Sequence, residues 1–142
     1  QDKVVAVVGP ATSGCVFAAT PVVTSNKVPL IAPCATAPAI TVDNGQVKEF
    51  IFRACFIDPF QGRVMAEFAD KTLGVKNVAI LHDASSDYSK GLAEVFEKTL
   101  NEKGGKVVAK EAFLSKDIDF KAALTKIKAA NPEAIYKPVK SV

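Results

Sequence analysis

Six short apolar runs, separated by turn residues or amphipathic stretches, limit what this chain can become more than any other feature. They are Val4–Val8, Val28–Ala32, Phe50–Ala54, Asn77–Leu81, Lys106–Phe113 and Ala134–Tyr136. Their length and β-branched content suit strands, and several intervening segments carry the three-to-four spacing of a helix face. Strands alternating with helices predict an α/β fold, a mostly parallel sheet with helices on both faces, of flavodoxin/Rossmann-like type. Val4–Val8 is apolar without alternation, which predicts a strand covered on both sides.

The segments between the runs refine this expectation. Residues 14–26 predict a helix split or bent at Pro21, because a proline removes one helical hydrogen bond. Residues 34–48 read as a loop, with turn signals at Pro38 and Asp43-Asn44-Gly45 and a short helical turn near Ala37–Thr41. Asp58 suits an N-cap and Pro59 the first helical position. That helix would bury Val64, Met65, Phe68 and Leu73 and stop at Gly74. Residues 85–90 read as a polar loop, followed by a helix buried through Leu92, Val95, Phe96 and Leu100. Lys106–Phe113 is mixed in polarity and predicts a strand near a sheet edge. The last helix would bury Phe120, Leu124 and Ile127 and end at Asn131-Pro132. Before about residue 57 the chain is rich in Pro, Ala and Thr; after it, Lys and Glu dominate. That shift marks a boundary between two parts.

Composition excludes several classes. Of 142 residues, 49% are hydrophobic and 23% charged, which is the balance of a globular chain rather than a disordered one. No run approaches the roughly 18 uncharged apolar residues of a membrane span. Eighteen basic against 15 acidic residues leave a net charge of +3, too small and too dispersed to predict a nucleic-acid partner. Cys15, Cys34 and Cys55 permit one disulfide at most and read as semi-buried thiols. Without a CxxC pair, and with His82 alone, no zinc set can be assembled, so neither a metal nor a cofactor is expected. The chain opens at Gln1 without an initiator Met or a signal peptide and reads as a piece of something longer.

In open α/β sheets, ligands bind beyond the carboxyl ends of the strands, so the residues after each strand are the informative ones. Gly9-Pro10-Ala11-Thr12-Ser13-Gly14 joins a strand to a helix and brings two hydroxyls to a helix start. Exposed N–H groups there favour an anion, by about 0.3–1 kcal/mol from the helix dipole. Ser13 reads equally as a plain N-cap. The loop lacks the lysine of a P-loop and the spacing of GxGxxG. Cys34 and Thr36 lie among small residues that would let a ligand approach the backbone. A catalytic Cys34 would need a neighbouring base, and the single His lies in another part of the chain. His82-Asp83 reads either as an acid–base pair or as a structural hydrogen-bonding element. Tyr88 reads either as a surface aromatic or as a ring lying across a ligand. No acidic cluster of the kind a phosphoacceptor site needs for Mg²⁺ is present, which argues against a response-regulator-like enzyme.

Taken in order, Val8-Gly9-Pro10-Ala11-Thr12-Ser13-Gly14, Val28 to Thr36 and Phe52 to Gly62 resemble the type I periplasmic binding proteins. The similarity is greatest to the branched-chain amino acid (Leu/Ile/Val) branch of extracellular ligand-binding receptors. His82-Asp83, Tyr88-Ser89-Lys90-Gly91-Leu92-Ala93 and Asp119-Phe120 with Leu124 extend the resemblance to about Tyr136. The resemblance implies two α/β lobes that close on a ligand without catalysis, and a chain only part as long as a full member. Residues 1–56 would end a segment of lobe one and residues 57–142 would begin lobe two. Left alone, these could merge into one flavodoxin-like sheet, with Val4–Val8 beside Ile135, or exchange exposed strands in a homodimer. The resemblance also implies a carboxylate contact at Ser13 beside Thr12, ammonium contacts at Cys34 and Thr36, and a second-lobe contact at Tyr88. The implied partners are an amino acid and the permease of an ABC transporter. The implied location is periplasmic or extracellular, with a lipid anchor in a Gram-positive organism. Sensor domains of the same fold and flavodoxin-like enzymes are the alternatives. With much of the pocket outside residues 1–142, weak or no binding by this chain alone is expected.

Overall fold

The computed structural model describes residues 3–139; the opening Gln1 and the tail residues Lys140, Ser141 and Val142 lie outside the described residues. The chain is α/β and divides into two compact units, residues 1–57 and 58–142.

The first unit contains β1 (Val7–Val8), α1 (Ser13–Ser25), β2 (Leu30–Ala32), a 3-10 turn (Pro38–Ile40), β3 (Val42–Asp43), β4 (Gln46–Val47) and β5 (Ile51–Arg53). Strands β1, β2 and β5 form a parallel sheet in that order. Val7 pairs with Leu30, which pairs with Ile51; Val8 pairs with Ile31, which pairs with Phe52. Successive side chains in a strand point to opposite faces, and the two rows have opposite fates. Leu30 and Ile51 are buried in a core with Val16, Val23, Ala35, Ala37 and Ile40, and Val7 packs against it. Val8, Ile31 and Phe52 are exposed.

Three expectations change in this unit. The five-residue strand Val4–Val8 shrinks to two paired residues, and Val4 and Val5 are exposed. Among the described residues, β1 pairs only with β2, so it has one ladder and one packed face to hold it. Helix α1 runs unbroken through Pro21. The proline forfeits one hydrogen bond, while Thr20 Oγ1 donates to Val16 O at 2.8 Å, and Val16 and Val23 anchor both halves in the core. The presumed loop 34–48 holds the expected helical turn but also the antiparallel hairpin β3–β4. Asn44 and Gly45 both have positive φ, as a two-residue hairpin turn requires.

The second unit contains α2 (Asp58–Lys71), β6 (Asn77–Asp83), α3 (Asp87–Glu102), β7 (Lys106–Phe113), α4 (Lys121–Ala129) and β8 (Ala134–Tyr136). Its parallel sheet has the order β7-β6-β8, with the mixed strand β7 at an edge as its composition predicts. The central strand β6 is buried from both sides. Val78 and Ile80 pack with Ala66, Ala69, Ala93, Phe96 and Leu100 of α2 and α3, while Ala79 and Leu81 pack with Ile127 of α4. The Glu133 carboxylate accepts the N–H groups of Lys76 and Asn77 at 2.7 and 2.6 Å, and Glu133 N–H donates to Asn77 O at 2.8 Å. This clasp sets the register in which Val78 faces Ala134.

Ile135 pairs with Ala79 in the second unit, and Val7 pairs with Leu30 in the first. The buried face of α2 also differs from expectation. Asp58, Gly62, Ala66 and Ala69 are buried, whereas Val64, Met65, Phe68 and Leu73 are exposed. The cause is the closeness of α3: a Cβ on Gly62 would stand 2.9 Å from Val95 Cβ. Only small residues fit such an interface, and larger ones turn outward. Asp58 is the first helical residue rather than the cap. In α4, Ile127 alone is buried; Leu124 is exposed, and Phe120 packs edge-on against Phe113. The presumed loop 85–90 is mostly helix, because Ser86 caps α3 by accepting the Ser89 N–H at 3.3 Å.

Candidate functional site

The carboxyl edge of the β1-β2-β5 sheet gathers most of the candidate residues. Gly9, at φ +115°, turns the chain out of β1, a conformation that L side chains rarely adopt. Thr12 is the N-cap of α1; its Oγ1 accepts the Cys15 N–H at 3.4 Å, and the residue is exposed. Ser13 is therefore not the cap but the first helical residue, and it is buried. Its Oγ accepts the Ala37 N–H at 3.2 Å. That bond spans 24 positions and ties the start of α1 to the residue after Thr36. The first turn of α1 carries no acidic residue, so its positive end is not neutralised locally.

The Ala35–Ala37 segment is held from three directions. Ser13 takes the Ala37 N–H. Arg53 Nη1 donates to Ala37 O at 2.8 Å, and its Nη2 donates to Thr41 Oγ1 at 3.1 Å. The Cys55 thiol donates to Ala35 O at 3.6 Å. Thr36 sits within this clamp, 5% exposed, and its hydroxyl has no hydrogen-bond partner among the described residues. A buried hydroxyl with no partner loses about 1–3 kcal/mol of solvation without return. Cys34 is exposed beside it, as is Cys15, and Cys55 is half-buried; the thiols are more accessible than expected. Sequence reasoning missed Arg53, because a basic residue at the end of a strand reads as surface.

In the second unit, Tyr88 is the second residue of α3, half-buried rather than in a loop. Gln61 Nε2 donates to the Tyr88 hydroxyl at 3.1 Å. Tyr136 stacks on Phe96 with ring centroids 4.0 Å apart, and its phenol is pushed up by burial and by the nearby Tyr88 and Asp58. His82-Asp83 closes β6. Asp83 is 9% exposed and accepts Ser85 Oγ and Ser115 Oγ, both at 2.5 Å, and Ser85 N–H at 2.8 Å. Burial pushes its carboxyl up, but these donors and His82 outweigh that and hold it below the usual carboxylate range. Asp83 acts as a structural hydrogen-bonding element, whereas His82 Nδ1 is buried without a partner among the described residues. Among the described residues, no three His, Cys, Asp or Glu side chains are grouped to hold a metal ion.

The arrangement can therefore bind a small polar molecule, with hydroxyls and backbone presented at a sheet edge. The family described as "Periplasmic binding protein" matches residues 1–137. Leu/Ile/Val-binding protein homolog 3 of Brucella melitensis is 36% identical over 135 residues, covering 95% of this chain and 36% of that protein. The leucine-, isoleucine-, valine-, threonine- and alanine-binding protein of Pseudomonas aeruginosa is 35% identical, with 96% and 35% covered. Among solved structures, the leucine binding protein LivK of Thermotoga maritima superposes with a TM-score of 0.87 at 41% identity, covering 96% of this chain and 38% of that one. The branched-chain amino acid transporter substrate binding protein LivJ of Streptococcus pneumoniae, solved in complex with isoleucine, gives 0.82 at 42% identity, with 96% and 37% covered. The chain thus spans a little over one third of the length of these relatives. Matched along nearly its whole length, in sequence and in fold, the chain belongs to the periplasmic binding protein family.

Proposed function

We propose that this chain carries part of the ligand-capturing apparatus of a solute-binding protein for ABC-type import of branched-chain or related amino acids. It works by reversible binding rather than catalysis. Its setting is the periplasm or the cell exterior, and its protein partner is a transporter permease. The names of the relatives support this reading, and the observation that carries it is the Thr36 hydroxyl, buried at the carboxyl edge without a partner. Buried polar atoms are rarely left unsatisfied without a reason. A ligand atom completes the hydroxyl at small cost, because the clamp around Ala37 has already ordered the backbone. Among the described residues, Ser13 Oγ bonds only as an acceptor, so its proton is available to a ligand carboxylate. Thr36 and the Cys34 backbone serve the ammonium, with Thr12 at the rim. Tyr88 is a further ligand contact in this reading.

The test is calorimetric titration of isoleucine, leucine and valine into the longest natural protein that contains these residues. Ser13→Ala and Thr36→Val should each weaken binding about tenfold or more, since a hydrogen bond to a charged group contributes about 1.5–3 kcal/mol. Thr36→Val should also raise the stability of the unliganded protein by about 1 kcal/mol, because it deletes an unsatisfied group. Unchanged affinity in Thr36→Val would sink the proposal.

A further inference from the structure

We infer that Gln61 is a positioning residue for Tyr88, holding its ring and hydroxyl ready for the ligand; this rests on the assignment of Tyr88 as a ligand contact. The carboxamide meets the phenol in both roles. Nε2 donates to the Tyr88 oxygen at 3.1 Å, and the Tyr88 O–H points to Oε1 at 3.4 Å. A carboxamide supplies donor and acceptor from one flat group, so it can fix the orientation of a hydroxyl that an ionised carboxylate would only accept from.

The packing of the second unit explains why the two residues meet across 27 positions. Gly62, the next residue along α2, admits Val95 and the Leu92 carbonyl to within 2.9–3.3 Å of where its Cβ would be. Gly91 of α3 likewise faces the Asp58 carboxylate at 3.5 Å. Gly62 lets α2 and α3 approach closely, and Gln61 is the long polar side chain beside that contact. Both partners are half-buried, so the amide is neither lost to solvent nor sealed in a core. Tyr88 stands in the first turn of its helix, and an untethered ring there would have to be ordered by each ligand that arrives.

The chain has no Trp and two Tyr, so in a Tyr136→Phe background Tyr88 is the only strong intrinsic fluorophore. Phenylalanine keeps the stack on Phe96. In that background, Gln61→Leu should lower the fluorescence anisotropy of Tyr88 without ligand, and Gln61→Glu should restore part of it. In the longest natural protein containing the chain, Gln61→Leu should weaken isoleucine binding three- to tenfold. Tyr88→Phe should weaken it similarly, and the double variant should be no worse than Tyr88→Phe alone. Unchanged anisotropy in Gln61→Leu overturns the inference whatever the ligand does, as do fully additive losses. If anisotropy falls but neither variant changes affinity, Tyr88 is no ligand contact and the inference fails. Ser13→Ala and Thr36→Val then report separately whether the amino-acid reading survives. Gln61→Glu supplies the measurement should Gln61→Leu not fold.

Discussion

Ser13, Thr36 and Asp83 show how much one buried oxygen can decide. The hydroxyl of Ser13 spends its lone pair on a backbone N–H, and that of Thr36 is left unspent. The Asp83 carboxylate collects three donors and so joins the end of β6 to Ser85 and Ser115. Its folded pKa lies below the ordinary value. Such a group adds stability above the unfolded carboxylate range, and that stability is lost as pH falls through the folded value. Asp83→Asn should therefore lower stability by about 1–2 kcal/mol at pH 7, with the gap closing well below the ordinary pKa of about 3.9. Urea melts at pH 7 and pH 3 measure it; an equal gap at both would refute it. Thr12, Ser13 and Thr36 could be placed at a carboxyl edge from sequence, because a position just after a strand is a local property. Arg53 could not, because its bond to Ala37 spans 16 positions.

At the level of elements, the contact between α2 and α3 leaves little room at Gly62. Gly62→Ala forces Val95 or the helices to move and should destabilise the protein by about 1–3 kcal/mol. Gly14→Ala, with no heavy atom within 4 Å of the added methyl, should be neutral or slightly stabilising, since alanine is favoured in a helix by about 1 kcal/mol. Thermal melts of the two variants make the comparison; equal losses would mean that close approach is not what Gly62 serves. Ser89 couples α3 to the sheet in a second way. It accepts the Asp83 N–H at 2.9 Å and donates to Pro138 O at 2.5 Å from a fully buried position. Periodicity correctly indicated that α2 is amphipathic, but it selected the wrong face, because it counts apolarity and not the distance to a neighbouring helix.

Across the whole molecule, the two units solve burial differently. In the second, helices cover both faces of the sheet. In the first, the row Val8, Ile31 and Phe52 remains 76, 38 and 55% exposed. An apolar row of this kind should bind a hydrophobic dye such as ANS. Ile31→Thr with Phe52→Thr should reduce that fluorescence while leaving the melting temperature nearly unchanged, since threonine keeps the strand preference and little burial is lost. Undiminished fluorescence would place the dye elsewhere. The continuous apolarity of Val4–Val8 correctly indicated a strand, but not how much of it would be covered.

From the sequence alone came the α/β class, the order of the parallel strands and the helices, and the sheet edge at which hydroxyls gather. These follow from patterns only a few residues long, which the backbone must obey wherever it lies. Tertiary structure alone decided that the parallel strands fall into two sheets, beside the β3–β4 hairpin, and that α2 buries glycine and alanine rather than phenylalanine. It also decided that the Thr36 hydroxyl is enclosed unpaired and that Gln61 reaches Tyr88. Each of these depends on which distant segments come within a few ångströms of each other, and no local pattern encodes that distance.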